Sequence, residues 1–381
     1  MPLSHRERVQ MALDHRQPDR VPLDLGGTQT SIHTLAYRAL KRALGIATPT
    51  ETQNIVLGLA RLEPEVLERF DIDFLHILPG MPDTWTFQLN ADDSFHDEWG
   101  TRWRRPPGGY YYDMVEFPLA GAALDDLASF AWPDPWNKGR LAGAAKQAER
   151  LYSETEYALE AGLVGLWETA WFLVGLERWM LRLHDDPDFV VALLDRVLEN
   201  LKAMHAAYLA EVGPWLELVT LWDDYGSQNG PLIAPSMWRR LVKPRLAELI
   251  AALKSKTEAR IAIHSCGSLW DILDDLIEVG VEVINPVQVT ARNMDPRQLK
   301  QRYGKRLTFW GGIDTHHILP YGRPQDVSRA VREALQTLAI HGGYILASVH
   351  NIQPGVPPEN IIAMFDTARK ADAYPMTAAG A

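Results

Sequence analysis

Cysteine is all but missing: the chain has 381 residues and one cysteine, Cys266, so no intrachain disulfide can form and that thiol is free, metal-bound or buried. Runs of positive charge are missing as well. The formal net charge is -11 with no block of Lys or Arg, so the electrostatic footprint of a nucleic-acid or anionic-membrane partner is lacking and neither partner is expected. No apolar run reaches membrane-spanning length. The N-terminal stretch Met1-Pro2-Leu3-Ser4-His5-Arg6-Glu7-Arg8 is charged and has no signal-peptide apolar centre, so a cytoplasmic protein is expected. No internal repeat, linker or low-complexity tract occurs before the Ala/Gly tail after Pro375. What the chain does have is a hydrophobic content of 46%, enough to fill one large barrel or two ordinary domains.

Hydrophobic periodicity organises it as one domain over 1–381. A short helix over Ser4 to His15 and a turn at Pro18-Asp19-Arg20 lead into a first strand, Arg20 to Leu25, that ends at Gly26-Gly27. Helices near His33 to Leu44 and Arg61 to Phe70 precede a second strand, Phe74 to Leu78. From Met81 to about Trp136 the periodicity fails, and Trp, Tyr, Asp, Gly and Pro accumulate; this 81–136 stretch reads as an aromatic-rich insertion with a small hairpin, able to cover a site. Alternation resumes with a helix over Leu141 to Ser153, a third strand over Ala158 to Leu166 closing on Trp167-Glu168, and helices over Ala170 to Leu183 and Pro187 to Val212. The remaining strands are Leu216 to Trp222, Ile261 to Cys266, Val281 to Asn285, Leu307 to Trp310 and Gly343 to Val349, with Ser268 as the cap of the helix after the fifth. Eight short strands, each followed by helix, form the pattern of an α/β (β/α)8 barrel, a TIM barrel.

In such a barrel the C-terminal strand ends open onto one face, where catalytic groups collect. Polar residues gather at those ends: Asp24 and Gln29 after the first strand, Glu168 after the third, Asp223 and Asp224 after the fourth, Gln288 after the sixth, Asp314 after the seventh, and His350 with Asn351 after the eighth. The fifth strand contributes Ile261-Ala262-Ile263-His264-Ser265-Cys266-Gly267. Alternate side chains of a strand point the same way, so His264 and Cys266 should project together, and imidazole with thiolate suits zinc better than magnesium or calcium. His350 can reach across the mouth as a third ligand, leaving the open fourth position of a catalytic rather than a structural zinc. Each residue also has a plainer reading: strand-end Asp residues cap helices, Glu168 suits a first helical turn, and His350 could be a hydrogen-bonded core histidine.

Several motifs resemble the uroporphyrinogen decarboxylase superfamily over nearly the whole chain: Arg6-Glu7-Arg8-Val9, Pro18-Asp19-Arg20-Val21-Pro22, His264-Ser265-Cys266-Gly267, Gly311-Gly312-Ile313-Asp314, and His350-Asn351-Ile352-Gln353-Pro354 with Pro357-Pro358-Glu359-Asn360. The resemblance implies a (β/α)8 barrel and divides the expectation between heme-pathway decarboxylases and corrinoid-linked methyltransferases. In the methyltransferases a His-x-Cys-Gly motif and a later Cys bind zinc, which activates a thiol. His264 and Cys266 match that motif, while the later position is His350, as in decarboxylases. The Arg-rich segment with which decarboxylases grip substrate carboxylates corresponds here to Asp24-Leu25-Gly26-Gly27-Thr28-Gln29, which is acidic and neutral and cannot pair with a polycarboxylate.

The expected function is therefore that of a zinc-dependent methyltransferase of a corrinoid system. Zn2+ would sit on His264, Cys266 and His350. Asp223, Asp224 and Glu168 would orient a ligand or manage its proton, and Asp24, Gln29, Gln288, Asp314 and Asn351 would bind substrate. The corrinoid (methylcobalamin) would come on a partner protein, since no cobalamin-binding domain is present in the sequence; a homodimer is the assembly considered. The alternatives are a metal-free carboxy-lyase using Asp24 and His350, and a noncatalytic zinc- or ligand-binding barrel.

Overall fold

Seven parallel strands curl into a ring in the computed structural model, which describes residues 3–370. Around the sheet they run Phe74–Ile77, Ala158–Val164, Leu218–Trp222, Arg260–His264, Val283–Asn285, Thr308–Ile313 and Tyr344–Ser348, each beside its successor in sequence. The expected first strand closes the ring without becoming a regular ladder. Asp24 N–H donates to Leu346 O (3.0 Å), Leu346 N–H to Pro22 O (2.9 Å) and Asp73 N–H to Leu23 O (2.8 Å), so the Pro22–Asp24 segment joins both edges. Pro22 has no N–H to give, and the Leu23 N–H is taken by the Asp73 carboxylate at 2.6 Å, which leaves too few backbone groups for a strand. The barrel thus has eight staves, seven of them regular strands.

The ring interior is filled by alternate residues of these strands. Phe74 and Trp310 stack with ring centroids 5.9 Å apart, and the small side chains of Ala158, Ala262 and Ala347 share this core with them, large beside small as a narrow barrel requires. Val9 and Leu13, from the helix His5–Leu13, belong to the same cluster, so this helix plugs the N-terminal end of the barrel. Each such buried side chain contributes about 1.5–3 kcal/mol relative to exposure. Arg8 and Arg20 fix the plug by binding the buried Asp73 at 2.7 and 2.6 Å, and His5 Nδ1 lies 2.8 Å from the same carboxylate.

Three sequence expectations change. The helix expected over Ala170 to Leu183 is two helices, Leu166–Val174 and Leu176–Asp185, parted at Gly175, whose φ of +89° favours glycine. Trp167 and Glu168 therefore lie in the first turn of a helix rather than at a strand end. Ser268 caps no helix: its N–H donates to Ser227 O at 2.8 Å, and a 3-10 turn, Trp270–Ile272, begins the following helix. The insertion holds a three-stranded antiparallel sheet, Ser94–His96, Arg102–Arg104 and Asp113–Glu116, in place of a hairpin. A second small sheet, Thr52–Asn54 with Leu59–Ala60, had no periodic signal. Among the described residues no helix is long and apolar enough to cross a membrane. The Ala/Gly tail after Pro375 lies outside the described residues.

Candidate metal centre and cavity

His264 ends the strand Arg260–His264 in register with Trp222 on one side and Asn285 on the other, which places all three at the C-terminal mouth. The loop that follows is pinned by its neighbours. Ser265 N–H donates to Asn285 O (2.7 Å), Cys266 N–H to Asp224 Oδ1 (2.6 Å) and Gly267 N–H to Gln288 Oε1 (2.6 Å). Gly267 has φ +83°, and a Cβ there would meet Ser227 O at 2.5 Å, so the motif needs its glycine for both conformation and space.

From beyond two intervening strands, His350 arrives after Tyr344–Ser348, with its ring centroid 5.7 Å from that of His264. One ligand atom each from His264, Cys266 and His350 lies within 4.8 Å of the others, and Cys266 Sγ is 3.7 Å from His264 Nε2. Two ligands of a tetrahedral zinc sit roughly 3.5 Å apart, so this pair already has the needed spacing. The other ring nitrogen of His264, Nδ1, is hydrogen-bonded to Asn285 Oδ1, which leaves Nε2 free to ligate. Burial, together with His264 and His316, pushes His350 down to about 3, so its imidazole is neutral and able to bind a metal. Burial and the charges of Asp224 and Glu168 raise the Cys266 thiol well above its usual range. An imidazole pair and a thiol that need a cation to become a full ligand set fit zinc.

Beside this cluster lies a cavity of about 480 Å3, lined by His264, His350, Asp224, Glu168, Gln29 and Trp222 from the barrel and roofed by Asp97, Trp99, Trp103 and Tyr112 from the insertion. The insertion is fastened by Thr101 Oγ1 donating to Phe172 O (3.1 Å) and Leu119 N–H donating to Leu173 O (2.8 Å). Among the described residues, neither lysine nor arginine lines the cavity.

The acids divide by role. Asp223 is fully buried, and its carboxylate accepts the N–H groups of Leu166 (2.9 Å), Trp167 (3.0 Å) and Glu168 (2.7 Å) and the Tyr225 hydroxyl (2.6 Å). It is the N-terminal cap of the Glu168 helix, supplied by another strand. Gly165 makes this approach possible, since a Cβ would lie 2.3 Å from Asp223 Cβ. Burial raises Asp223 to about 6 in spite of these bonds. Glu168 is raised well above the usual carboxylate range by burial and by Asp224 and Asp223, with the Asp224 backbone N–H opposing.

Of the expected substrate-binding residues, Gln29 reaches the cavity, accepting from Trp222 Nε1 (3.0 Å) and donating to Glu160 Oε1 (3.4 Å). The others stand behind it. Asp24 is wholly buried, bonded to His76 Nε2 at 2.8 Å, Trp310 Nε1 at 3.0 Å and the Thr30 hydroxyl. Gln288 holds Gly267; Asn351 accepts from Ser31 N–H (2.8 Å) and donates to Thr28 O (2.7 Å); Asp314 accepts from His316 N–H at 2.6 Å in a turn. Sequence reading passed over His76 and Glu160. His76 bridges Asp24 and Glu160 at 2.8 Å each, and although burial opposes it, these two carboxylates hold its pKa up at about 10, so it is a buried cation. A His at the third position of a short apolar strand was its only trace in the sequence. Trp103 and Asp97 were hidden in the aperiodic insertion.

Comparison with known proteins follows the same lines. A uroporphyrinogen decarboxylase from Coxiella burnetii is 24% identical over 192 residues, 49% of each chain, so this chain spans about half the length of that curated relative. A methylated-thiol–coenzyme M methyltransferase from Methanosarcina mazei is 23% identical over 256 residues, 65% of this chain and 63% of that one. A solved structure titled as a methyltransferase from Methanosarcina mazei superposes with a TM-score of 0.64 at 20% identity, covering 97% of this chain and 99% of the other, which shows a shared fold. The family model for uroporphyrinogen decarboxylase (URO-D) matches residues 116–371, from the last strand of the insertion through the whole His264 and His350 side of the barrel, and by that match the chain belongs to the URO-D family.

Proposed function

We propose that this chain is a zinc-dependent methyltransferase of a corrinoid system, moving a methyl group between a small molecule (an ether, alcohol, amine, thiol or folate) and a corrinoid carried on a separate protein. The observation that carries the reading is the convergence of His264, Cys266 and His350 at the barrel mouth, with ligand atoms within 4.8 Å, beside a cavity. The likeness to a protein named as a methylated-thiol–coenzyme M methyltransferase supports it.

His264, Cys266 and His350 would hold the ion. When bound, zinc lowers the pKa of a coordinated thiol or alcohol and stabilises an oxygen anion that leaves; two imidazoles and one thiolate make it a stronger Lewis acid than a site with two thiolates. Asn285 keeps His264 turned toward the centre, and Asp224 and Gln288 fix the Cys266 loop through its backbone. Glu168, its pKa raised by burial and by its acidic neighbours Asp224 and Asp223, is the group placed to give or take a proton. Asp223 positions Glu168 through the helix terminus. Gln29 faces the substrate, while Asp24, Gln288, Asn351 and Asp314 support the loops around it.

A decarboxylase acting on a polycarboxylate would need cations to hold its substrate, and among the described residues no lysine or arginine lines the cavity. Metal analysis is the direct test: about one zinc per chain is expected, and its loss in His264→Ala and Cys266→Ala. Anaerobic mixing with cob(I)alamin or methylcobalamin and candidate substrates should shift the cobalt absorption bands. Purified protein without stoichiometric zinc, or no band change with any donor or acceptor, would overturn the reading.

A further inference from the structure

The cavity wall combines aromatic surface with carboxylates that no cation answers. Trp99, Trp103, Phe172 and Trp222 present aromatic surface to it, and Trp103 meets Phe172 edge-on with centroids 6.0 Å apart. Three carboxylates, Asp97, Glu168 and Asp224, line it, and no lysine or arginine answers them. Acids below the cavity are matched in other ways: Asp73 has Arg8 and Arg20, Asp24 and Glu160 share His76, and Asp223 is spent on three backbone N–H groups and the Tyr225 hydroxyl. Asp97 is committed to the Trp99 and Thr101 backbone N–H groups (2.9 Å each) and to Trp103 Nε1 (2.8 Å), which sets its charge at the edge of an indole. The Glu168 carboxyl has only the Asp224 backbone N–H. A divalent ion on His264, Cys266 and His350 would not cancel this charge, since a thiolate with the carboxylates of Asp97 and Asp224 already outnumbers its two positive charges. Half-buried carboxylates with no cation are costly, and aromatic faces attract cations.

We infer that the small molecule held in this cavity is itself a cation: a thiol, alcohol or methyl ether whose other end is an alkylammonium group, seated on the Trp103 and Phe172 rings and near the carboxylates of Asp97 and Glu168. This rests on the methyltransferase reading for the sulfur or oxygen end and adds the charge of the far end. It also separates this chain from thiols that carry an acid group: a sulfonate such as that of coenzyme M would face three carboxylates and no cation.

Calorimetric titration of the zinc-loaded full chain tests this with three probes: choline, its uncharged isostere 3,3-dimethylbutan-1-ol, and 2-mercaptoethanesulfonate. Choline is expected to bind about tenfold or more tighter than the isostere, with the sulfonate weakest. Trp103→Leu and Glu168→Gln should each shrink the gap between choline and isostere; using both guards against either variant failing to fold. Choline binding no tighter than the isostere, no choline binding at its highest soluble concentration, or sulfonate binding tightest would overturn the inference. His264→Ala separates the two readings. That variant should lose zinc and methyl transfer yet still prefer choline to the isostere; absence of transfer in the parent protein with the choline preference intact would sink the methyltransferase reading and leave the cation site standing.

Discussion

Asp73 and Glu168 are carboxyls at opposite ends of one barrel, and burial pushes both toward the neutral form. At the N-terminal end the hydrogen bond from His5 and the charges of Arg20 and Arg8 outweigh that push and hold Asp73 below the usual carboxylate range. At the C-terminal end no cation answers Glu168, and Asp224 and Asp223 add to the push. One end is a satisfied polar network that joins the plug helix to the ring; the other is unsatisfied in the protein alone. That asymmetry is the physical difference between a stability face and a reaction face.

Removing each acid should give opposite results. Asp73→Ala removes the buried carboxylate that Arg8 and Arg20 share, leaving them only the more exposed Asp19 and Asp71, and is expected to cost about 3 kcal/mol in urea unfolding, while zinc content per folded molecule stays unchanged. A cost well under 1 kcal/mol would mean that the plug helix does not depend on this network. Glu168→Gln replaces a carboxyl that no cation answers instead of breaking an ion pair, so stability should hold or rise by about 1 kcal/mol, while methyl transfer falls about 100-fold or more. Equal losses of stability in the two variants would erase the distinction between the ends.

Asn285→Ala probes the same contrast at smaller scale. It removes no zinc ligand, only the partner of His264 Nδ1, and should weaken zinc binding about 10- to 100-fold in a chelator competition. Unchanged affinity would mean that the ring orientation is set by packing alone. Asn285 also shows where sequence reading stopped. His264, Cys266 and His350 were legible because strand alternation and strand count place them without side-chain detail, and the ring order, with two strands between them, agrees. Asn285, at the end of an apolar strand, gives no signal until register puts it beside His264. The same holds for Asp223 and Asp224, adjacent in sequence: only the structure shows Asp223 spent on the helix terminus and Asp224 on the Cys266 loop. Periodicity located seven strands to within a few residues. It could not foresee the closing segment, where Pro22 and a side-chain acceptor, Asp73, replace ladder bonds, nor the insertion, where short strands of mixed polarity carry no period.

The smallest effect near neutral pH tests whether the N-terminal end is uniformly satisfied. Glu217 sits there too, but burial raises it to about 7 despite the Leu159 backbone N–H and the charge of Arg6. Its folded pKa lies above the ordinary unfolded value of about 4.3, so between these values the native state binds more protons. Stability from this group is therefore present in full below about pH 4 and is lost as pH rises through about 7. Asp73 has the opposite sign: its contribution is present above about pH 4 and disappears as pH falls through its depressed folded value. Glu217→Gln keeps an acceptor for Leu159 and removes the titration, so a plot of unfolding free energy against pH should flatten between about pH 4 and 7, leaving the acid limb governed by Asp73 in place. An unchanged slope in that window would place the titrating group elsewhere and return Glu217 to the satisfied set.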